Sequence, residues 1–508
     1  MRTSPARRTT VPALAVATAL AVLATGCSGG GPSDGSSVGA PRPHPAPAWP
    51  DQREQAPRVG GETRTADDPD STFALDVDTA SYGYAARSLQ DGRLPDPGSV
   101  RPEEFVNAFR QDYPEPAGDG FTVHVDGARL PFPSYEDTRL LRVGLQTRSA
   151  DTEDRPDAVL TFVVDVSGSM AEPGRLDLVK DTLHVLVDRL RPGDAVGLVA
   201  YSDSARPLSP VVPVRERADL HRAIDRLRTE GSTNLEAGLV TGYDVARRGF
   251  RPGSTNRVVL LTDGLANTGA TDADTILERV REQAGKGIAL LTVGVGSEYG
   301  DQLMERLADG GDGIAAYVGD RAEAERVFVE RLPATVELRA LDAKAQVSFR
   351  PETVESYRLV GYEDRAVSDD DFRDDAVDGG EVGPGHSVTA LYVVRLRPGA
   401  EGEVATATVR WADPRTREPS ERSATVSADA LAGALDEASL RLRVDAVAAV
   451  LAERLRDAAP WRGEHGRDGH GAGLERLVAQ ADRVAALTED PAVEGLARMT
   501  RRAAILLT

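Results

Sequence analysis

A single cysteine, Cys27, stands among 508 residues, so no intramolecular disulfide can staple the chain. Lysine is almost as scarce. Lys180, Lys286 and Lys344 are the three present, and the other basic residues among the 60 are arginines. Aromatics make up only 5%, so any core must be assembled largely from Ala, Val and Leu. Positive charge is in deficit: 60 Lys and Arg against 81 Asp and Glu give a net charge of -21. Such a chain repels nucleic acid and anionic headgroups, and cations are the expected partners. The body of the chain also lacks the run of roughly 20 apolar residues that crosses a bilayer.

The N-terminal stretch is different. Arg2, Arg7 and Arg8 precede the uncharged segment Val11–Ala24, which has the length of a signal h-region and is too short to span a membrane. Residues 1–26 are therefore expected to be a signal peptide. The following LATGC resembles a bacterial lipobox, with Ala24 where such boxes usually carry leucine, and the resemblance implies lipidation at Cys27. From there to about residue 70 the chain is dense in Gly, Ser and Pro without apolar period, as expected of a disordered stalk.

Beyond the stalk the pattern changes three times. Residues 71–155 mix strand-like and helix-like segments (STFALDVDTASY, VRPEEFVNAF, FTVHVDGARL), which suggests a small α+β flanking domain. Residues 156–332 alternate short Val/Leu runs (AVLTFVVD, AVGLVAYS, RVVLLTDG, IALLTVGVG) with amphipathic helical segments. Apolar runs of that kind suit strands buried on both faces, and the alternation predicts a doubly wound, Rossmann-like α/β domain. Residues 333–508 are strand-rich to about 427 and helical thereafter.

The stretch FVVDVSGSM, from Phe162 to Met170, interrupts a core-type strand with Asp165, Ser167 and Ser169. In open α/β sheets, ligands sit beyond the carboxyl ends of the strands, so hard oxygens at this place are chemically meaningful. GSTNL supplies Thr233 just before a helix, and LLTDG supplies Asp263 at the end of another buried strand. Together these residues resemble the von Willebrand factor A domain with an intact metal-ion-dependent adhesion site, in which D-x-S-x-S is followed by a separated Thr and a separated Asp. The resemblance implies that Asp165, Ser167, Ser169, Thr233 and Asp263 bind Mg²⁺ or Mn²⁺. With neutral hydroxyls and only two carboxylates, such an ion keeps positive character, and Mg²⁺ favours six hard oxygens. An Asp or Glu side chain of a protein partner could then complete its shell. SYRLVGYEDR, DDFRDD and GHSVTALY, with STFALDVDTASY upstream, further resemble the flanks of a group of exported bacterial proteins built around this domain.

These observations predict a cell-surface lipoprotein that binds a protein partner in adhesion or envelope assembly, with no catalytic residues, no small-molecule substrate and no nucleic acid. Its expected location is the extracytoplasmic side of the cell membrane, held by a lipid anchor. Two alternatives are a scaffold in which the metal is purely structural and an Asp-nucleophile phosphatase at Asp76/Asp78, since ALDVDTA fits D-x-D-x-T. The lysine such a phosphatase needs is missing from the flanking domain. The acidic loop around Asp374 places Ala376 and Gly385 where a calcium loop wants oxygens. His465 and His470 have no third zinc ligand beside them, and His184 has no G-x-S-x-G elbow to serve.

Overall fold

The computed structural model describes residues 61–508, apart from 76–77, 119, 130–137, 150–155, 265–272, 297–301, 312, 314, 319–320, 322–323, 325–326, 329–338, 375–376, 378, 415, 457–468 and 508. The expected signal peptide, Cys27 and most of the expected stalk therefore lie outside the described residues, as do Asp76 and His465.

The flanking segments depart from the sequence expectation. Before the central domain come β1 (Thr63–Arg64), β2 (Asp70–Ala74), α1 (Ala80–Gln90), α2 (Pro102–Asn107), β3 (Phe121–Arg129) and β4 (Thr138–Thr147). The stalk expected through residue 70 gives way earlier to ordered chain, because β1 pairs with a strand about 290 residues away and Thr65, buried, donates to the carbonyl of Val354 at 2.6 Å. Composition does not reveal this, since an edge strand is held by its backbone.

The central domain holds β5 (Ala158–Asp165), α3 (Leu176–Arg189), β6 (Ala195–Tyr201), β7 (Ala205–Pro213), α4 (Arg217–Asp225), α5 (Leu235–Gly249), β8 (Thr255–Thr262), α6 (Ala273–Ala284), β9 (Ile288–Val295), α7 (Gln302–Asp309) and β10 (Ala315–Val318). Its sheet runs β10-β9-β8-β5-β6-β7, parallel throughout except for the hairpin strand β7 at one edge. Alternate residues of β5 feed opposite cores. Leu160, Phe162 and Val164 join α3 and α4 residues on one face, and Val163 joins α5 and α6 residues on the other. The domain is the doubly wound α/β fold that the alternation of segments predicts.

After it come β11 (Ala340–Phe349), β12 (Val354–Leu359), β13 (Gly380–Val382), β14 (Ser387–Leu396), β15 (Glu403–Ala412), β16 (Pro419–Ser427) and then α8 (Leu440–Leu455), α9 (Gly469–Thr488) and α10 (Pro491–Leu507). The two flanks are not separate neighbours. β1-β12-β14-β4-β3 form one sheet, while β13-β11-β15-β16, with β2 on β11, form another. Leu141, Val143 and Leu145 of the first sheet share a core with Val347, Ala407 and Val409 of the second. The α/β domain is therefore an insertion between strands of one sandwich. Pairings such as Val143 with Ala390 cross nearly 250 residues and leave no local sequence signal.

The helices α8 to α10 close on α1 and α2 in a third core containing Phe105, Val444, Leu451 and Leu496. Arg142 ties this layer to the sheet: it pairs with Asp126 at 2.6 Å and with the wholly buried Asp445 at 3.0 Å. Burial pushes the Asp445 carboxyl up to about 6, against the opposing pull of Arg142 and Gln111.

Candidate metal centre

β5 and β8 lie side by side at the middle of the central sheet, and the winding direction reverses between them. Ligand crevices form at such a switch point, beyond the carboxyl ends of the strands. Val164 stands opposite Leu261 in the parallel register, so Asp165 and the Thr262–Asp263 turn emerge together.

Asp165 is wholly buried. Its Oδ1 accepts from the main-chain N–H of Ser167 at 2.8 Å, and its Oδ2 accepts from Thr262 Oγ1 at 2.8 Å and from the Tyr201 hydroxyl at 3.3 Å. Burial raises its pKa above the usual carboxylate range, with the charge of Asp263 acting in the same direction and the bonds from Ser167 and Thr262 opposing. Behind it the chain makes a short 3₁₀ turn, Gly168–Ala171, which presents both serines. Ser167 Oγ lies 3.1 Å from Ser169 Oγ, and Ser169 Oγ donates to Asp263 Oδ1 at 2.8 Å.

Thr233 lies on a loop whose main chain is stitched to the first. The Glu230 N–H donates to the Val166 carbonyl at 2.6 Å, the Gly168 N–H to the Gly231 carbonyl at 3.1 Å, and the Asn234 N–H to the Ser202 carbonyl at 2.8 Å. Gly231 has φ of 65°, left-handed backbone that glycine adopts freely, and a Cβ there would strike the Asp203 carboxylate. Thr233 is buried two residues further on, and Asn234 then caps α5 by accepting from the Ala237 N–H at 3.0 Å.

Sequence reasoning missed Arg175. Its Nη1 donates to Asp263 Oδ2 at 2.6 Å and to the Ser169 carbonyl at 3.1 Å, and its Nη2 pairs with exposed Glu172 at 2.7 Å. Arg175 occupies the N-cap of α3, where a cation opposes the helix dipole; that misplacement is the signal that could have singled it out. Gly296, at φ 97°, makes room for it, since a Cβ there would lie 2.9 Å from Arg175 Nε.

The residues present fit a hard divalent cation. Mg²⁺ holds oxygens at about 2.0–2.1 Å in an octahedron, which puts adjacent oxygens about 2.9 Å apart. Ser167 Oγ, Ser169 Oγ and Asp263 Oδ1 follow one another at 3.1 and 2.8 Å. Among the described residues no three His, Cys, Asp or Glu side chains gather as a possible metal site, so hydroxyl oxygens must supply part of any shell here.

The rival signals fall elsewhere. Asp78 is buried, accepts from the Ala315 N–H at 3.0 Å and faces Arg365 at 3.5 Å, so it ties the sandwich to the central domain. Asp374 belongs to a turn whose carbonyl takes the buried Lys344 ammonium at 2.6 Å. His470 lies in the first turn of α9, with its side chain outside the described residues.

An oxygen-rich cluster thus stands at the switch point of a doubly wound sheet. Residues 160–329 match the model of the von Willebrand factor type A domain, and the chain carries a domain of that family, which is known for protein–protein interaction and metal-dependent binding. Residues 54–142 match a model described as von Willebrand factor, and residues 334–468 match one described as Uncharacterized protein YfbK, C-terminal. Uncharacterized protein YfbK of Escherichia coli (strain K12) is 37% identical over 340 residues, 66% of this chain and 59% of that protein. Uncharacterized protein sll0103 of Synechocystis is 30% identical over 191 residues, 37% of this chain and 44% of that one. The chain thus spans about half the length of these relatives. Among solved structures, von Willebrand factor type A from Catenulispora acidiphila is similar with a TM-score of 0.46 and 17% identity, over 73% of this chain and 88% of that one.

Proposed function

We propose that the central domain binds Mg²⁺ or Mn²⁺ through Asp165, Ser167, Ser169, Thr233 and Asp263 and thereby holds an acidic side chain of a protein partner. The observation that carries this reading is the run of three oxygens from two strand-end loops at 3.1 and 2.8 Å, the spacing of neighbouring ligands around such an ion. When bound, the ion supplies a Lewis-acidic position for one more hard oxygen. The protein's own residues set how strongly that position attracts. Asp165 and Asp263 bring two negative charges, and Arg175, fixed on Asp263 Oδ2 at 2.6 Å, returns one positive charge. Only part of a divalent charge is then neutralised, which leaves attraction for an incoming carboxylate. Asp165 has both oxygens engaged by Ser167, Thr262 and Tyr201, so it acts on the ion chiefly through its charge.

In this reading the protein is exported, lipid-anchored at Cys27 and held at the extracytoplasmic face of the membrane by a stalk, and it acts in adhesion or envelope assembly as a binding module without catalysis. The experiment is capture of envelope proteins by the immobilised chain with Mg²⁺, with EDTA, and with Mg²⁺ plus excess glutamate-rich peptide, comparing wild type with Ser167→Ala. The reading expects a partner retained only by wild type with Mg²⁺ and displaced by the peptide. Retention by Ser167→Ala in EDTA would overturn it in favour of a scaffold with a structural metal.

A further inference from the structure

Helix α10 keeps a second face beside the one it buries in the third core, where Leu496, Met499 and Ala503 meet Ala85 and Leu89 of α1. Tyr82, Ala86 and Leu89 of α1 follow one another at spacings of four and three, and Gly495, Arg498, Arg502 and Ile505 of α10 at three, four and three. Each set is therefore one stripe of its helix. The two stripes wall a groove of about 540 Å³. From Gly495 to Ile505 the helix rises about 15 Å, close to three turns. The bottom is apolar, with Leu89 and Met499 buried, and Ile505 on the lip is 68% exposed, the most exposed large apolar side chain among the described residues. The charged lining is Arg498, Arg501 and Arg502, and among the described residues no carboxylate lines the groove. In a chain of net charge -21 that is a local reversal of sign. Arg498 faces Glu494 at 3.8 Å and Arg501 pairs with Asp482, all four about half exposed or more, and Arg502 has no ion pair among the described residues. Exposed pairs of this kind hold weakly and exchange for a better-placed carboxylate.

We propose that this groove docks an amphipathic helix of a partner protein, its apolar stripe set between α1 and α10 and its Asp or Glu residues beside that stripe. Shape, depth and charge choose this occupant. Two helices lying side by side offer no strand edge to extend, and a third helix seats between them through apolar residues at i, i+3 or i+4, and i+7. Ala86 on one wall and Gly495 on the other are small, which lets a partner backbone come close. Above Gly495 the space is open, since a Cβ there would meet nothing within 4 Å except Arg498 Nη2 at 3.8 Å. Three guanidinium groups, each able to hold a carboxylate by two parallel hydrogen bonds, favour an acidic partner. A second copy of α10 would bring the same arginines together and is disfavoured by like charge. A flat anionic bilayer would reach Ile505 but not the recessed Leu89 and Met499. The surface needs no metal and stands independently of the proposed cation centre.

The test is fluorescence polarisation with the full chain in EDTA and a labelled synthetic peptide of about 15 residues, leucine and alanine on one helical face and glutamate flanking it. A peptide with the same apolar face and lysine in place of glutamate is the control. The glutamate peptide should bind saturably, and the lysine peptide at least about tenfold more weakly. Arg498→Glu/Arg502→Glu, two changes at exposed positions, should weaken the glutamate peptide at least about tenfold, and Ile505→Gln at least about threefold, with thermal midpoints within a few degrees of wild type. Ser167→Ala should bind as wild type. No saturable binding by wild type, equal binding of the two peptides, or undiminished binding by the double variant would overturn the proposal. Two further results would overturn it by naming another occupant: flotation with phosphatidylglycerol vesicles that the double variant loses while the glutamate peptide fails to bind, or a wild-type dimer in sedimentation that the double variant dissociates.

Discussion

Arg175 Nη1 donates to Asp263 Oδ2 at 2.6 Å, with both side chains almost wholly buried beside the oxygens of the proposed cation site. Removing one partner of a buried pair leaves an uncompensated charge, at a cost of about 3–5 kcal/mol. Arg175→Met should lose stability of that order in EDTA. Added Mg²⁺ should restore part of it, because a bound cation replaces the missing positive charge beside Asp263. Urea denaturation with and without Mg²⁺ checks this; an equal Mg²⁺ effect in both proteins would separate Arg175 from the cation.

The close seat of α5 on β5 gives a packing prediction. A Cβ on Gly242 would collide with Val163 Cγ2. Gly242→Ala should therefore cost about 1–3 kcal/mol, the range for an overpacked core. Gly242→Ala combined with Val163→Ala should be less destabilised than the sum of the two single changes, which urea midpoints of the four proteins would show.

Asp445 supplies a pH dependence. Its folded pKa is pushed up to about 6 by burial, above its ordinary value near 3.9 in the unfolded chain. A raised value means that the folded state binds the proton more tightly, so this contribution is full below about pH 4 and is lost as the pH rises through about 6. A shift of roughly two units corresponds to about 3 kcal/mol. Relative to Asp445→Asn, which cannot titrate, wild type should lose stability between pH 4 and pH 7; a constant difference over that range would contradict the assignment.

Asp78 joins the sandwich to the inserted domain through the Ala315 N–H and Arg365. Asp78→Ala should lower stability by about 1–3 kcal/mol, the cost of leaving buried partners unsatisfied, without changing Mg²⁺ affinity. Hydrolysis of a generic phosphate ester that disappeared in Asp76→Asn would instead favour the phosphatase alternative.

The legible parts are those whose causes are local. Nearly continuous apolar runs such as Val159–Val164 and the helical spacing of Leu176, Val179, Leu183 and Val187 mark the central sheet and α3 without any knowledge of the fold. Asp165, Ser167, Ser169 and Asp263 stand out because polar residues terminate otherwise apolar strands, and the switch point then brings them together. Arg175 was not legible as part of the site, since its role depends on the place of the Thr262–Asp263 turn and on the space left by Gly296. The pairing of β4 with β14 and of β2 with β11 was hidden for a different reason: partners hundreds of residues apart are chosen by tertiary packing, and an edge such as Thr63–Arg64 has no pattern to read.

The central claim is a cation held by oxygens from distant segments. Calorimetric titration of the full chain with Mn²⁺, with Mg²⁺ as competitor, tests it most directly. The account predicts one site per chain for which the two ions compete, abolished in the double change Ser167→Ala/Ser169→Ala while the thermal midpoint measured in EDTA moves by only a few degrees. No heat in the wild type, or undiminished binding in the double variant, would contradict it.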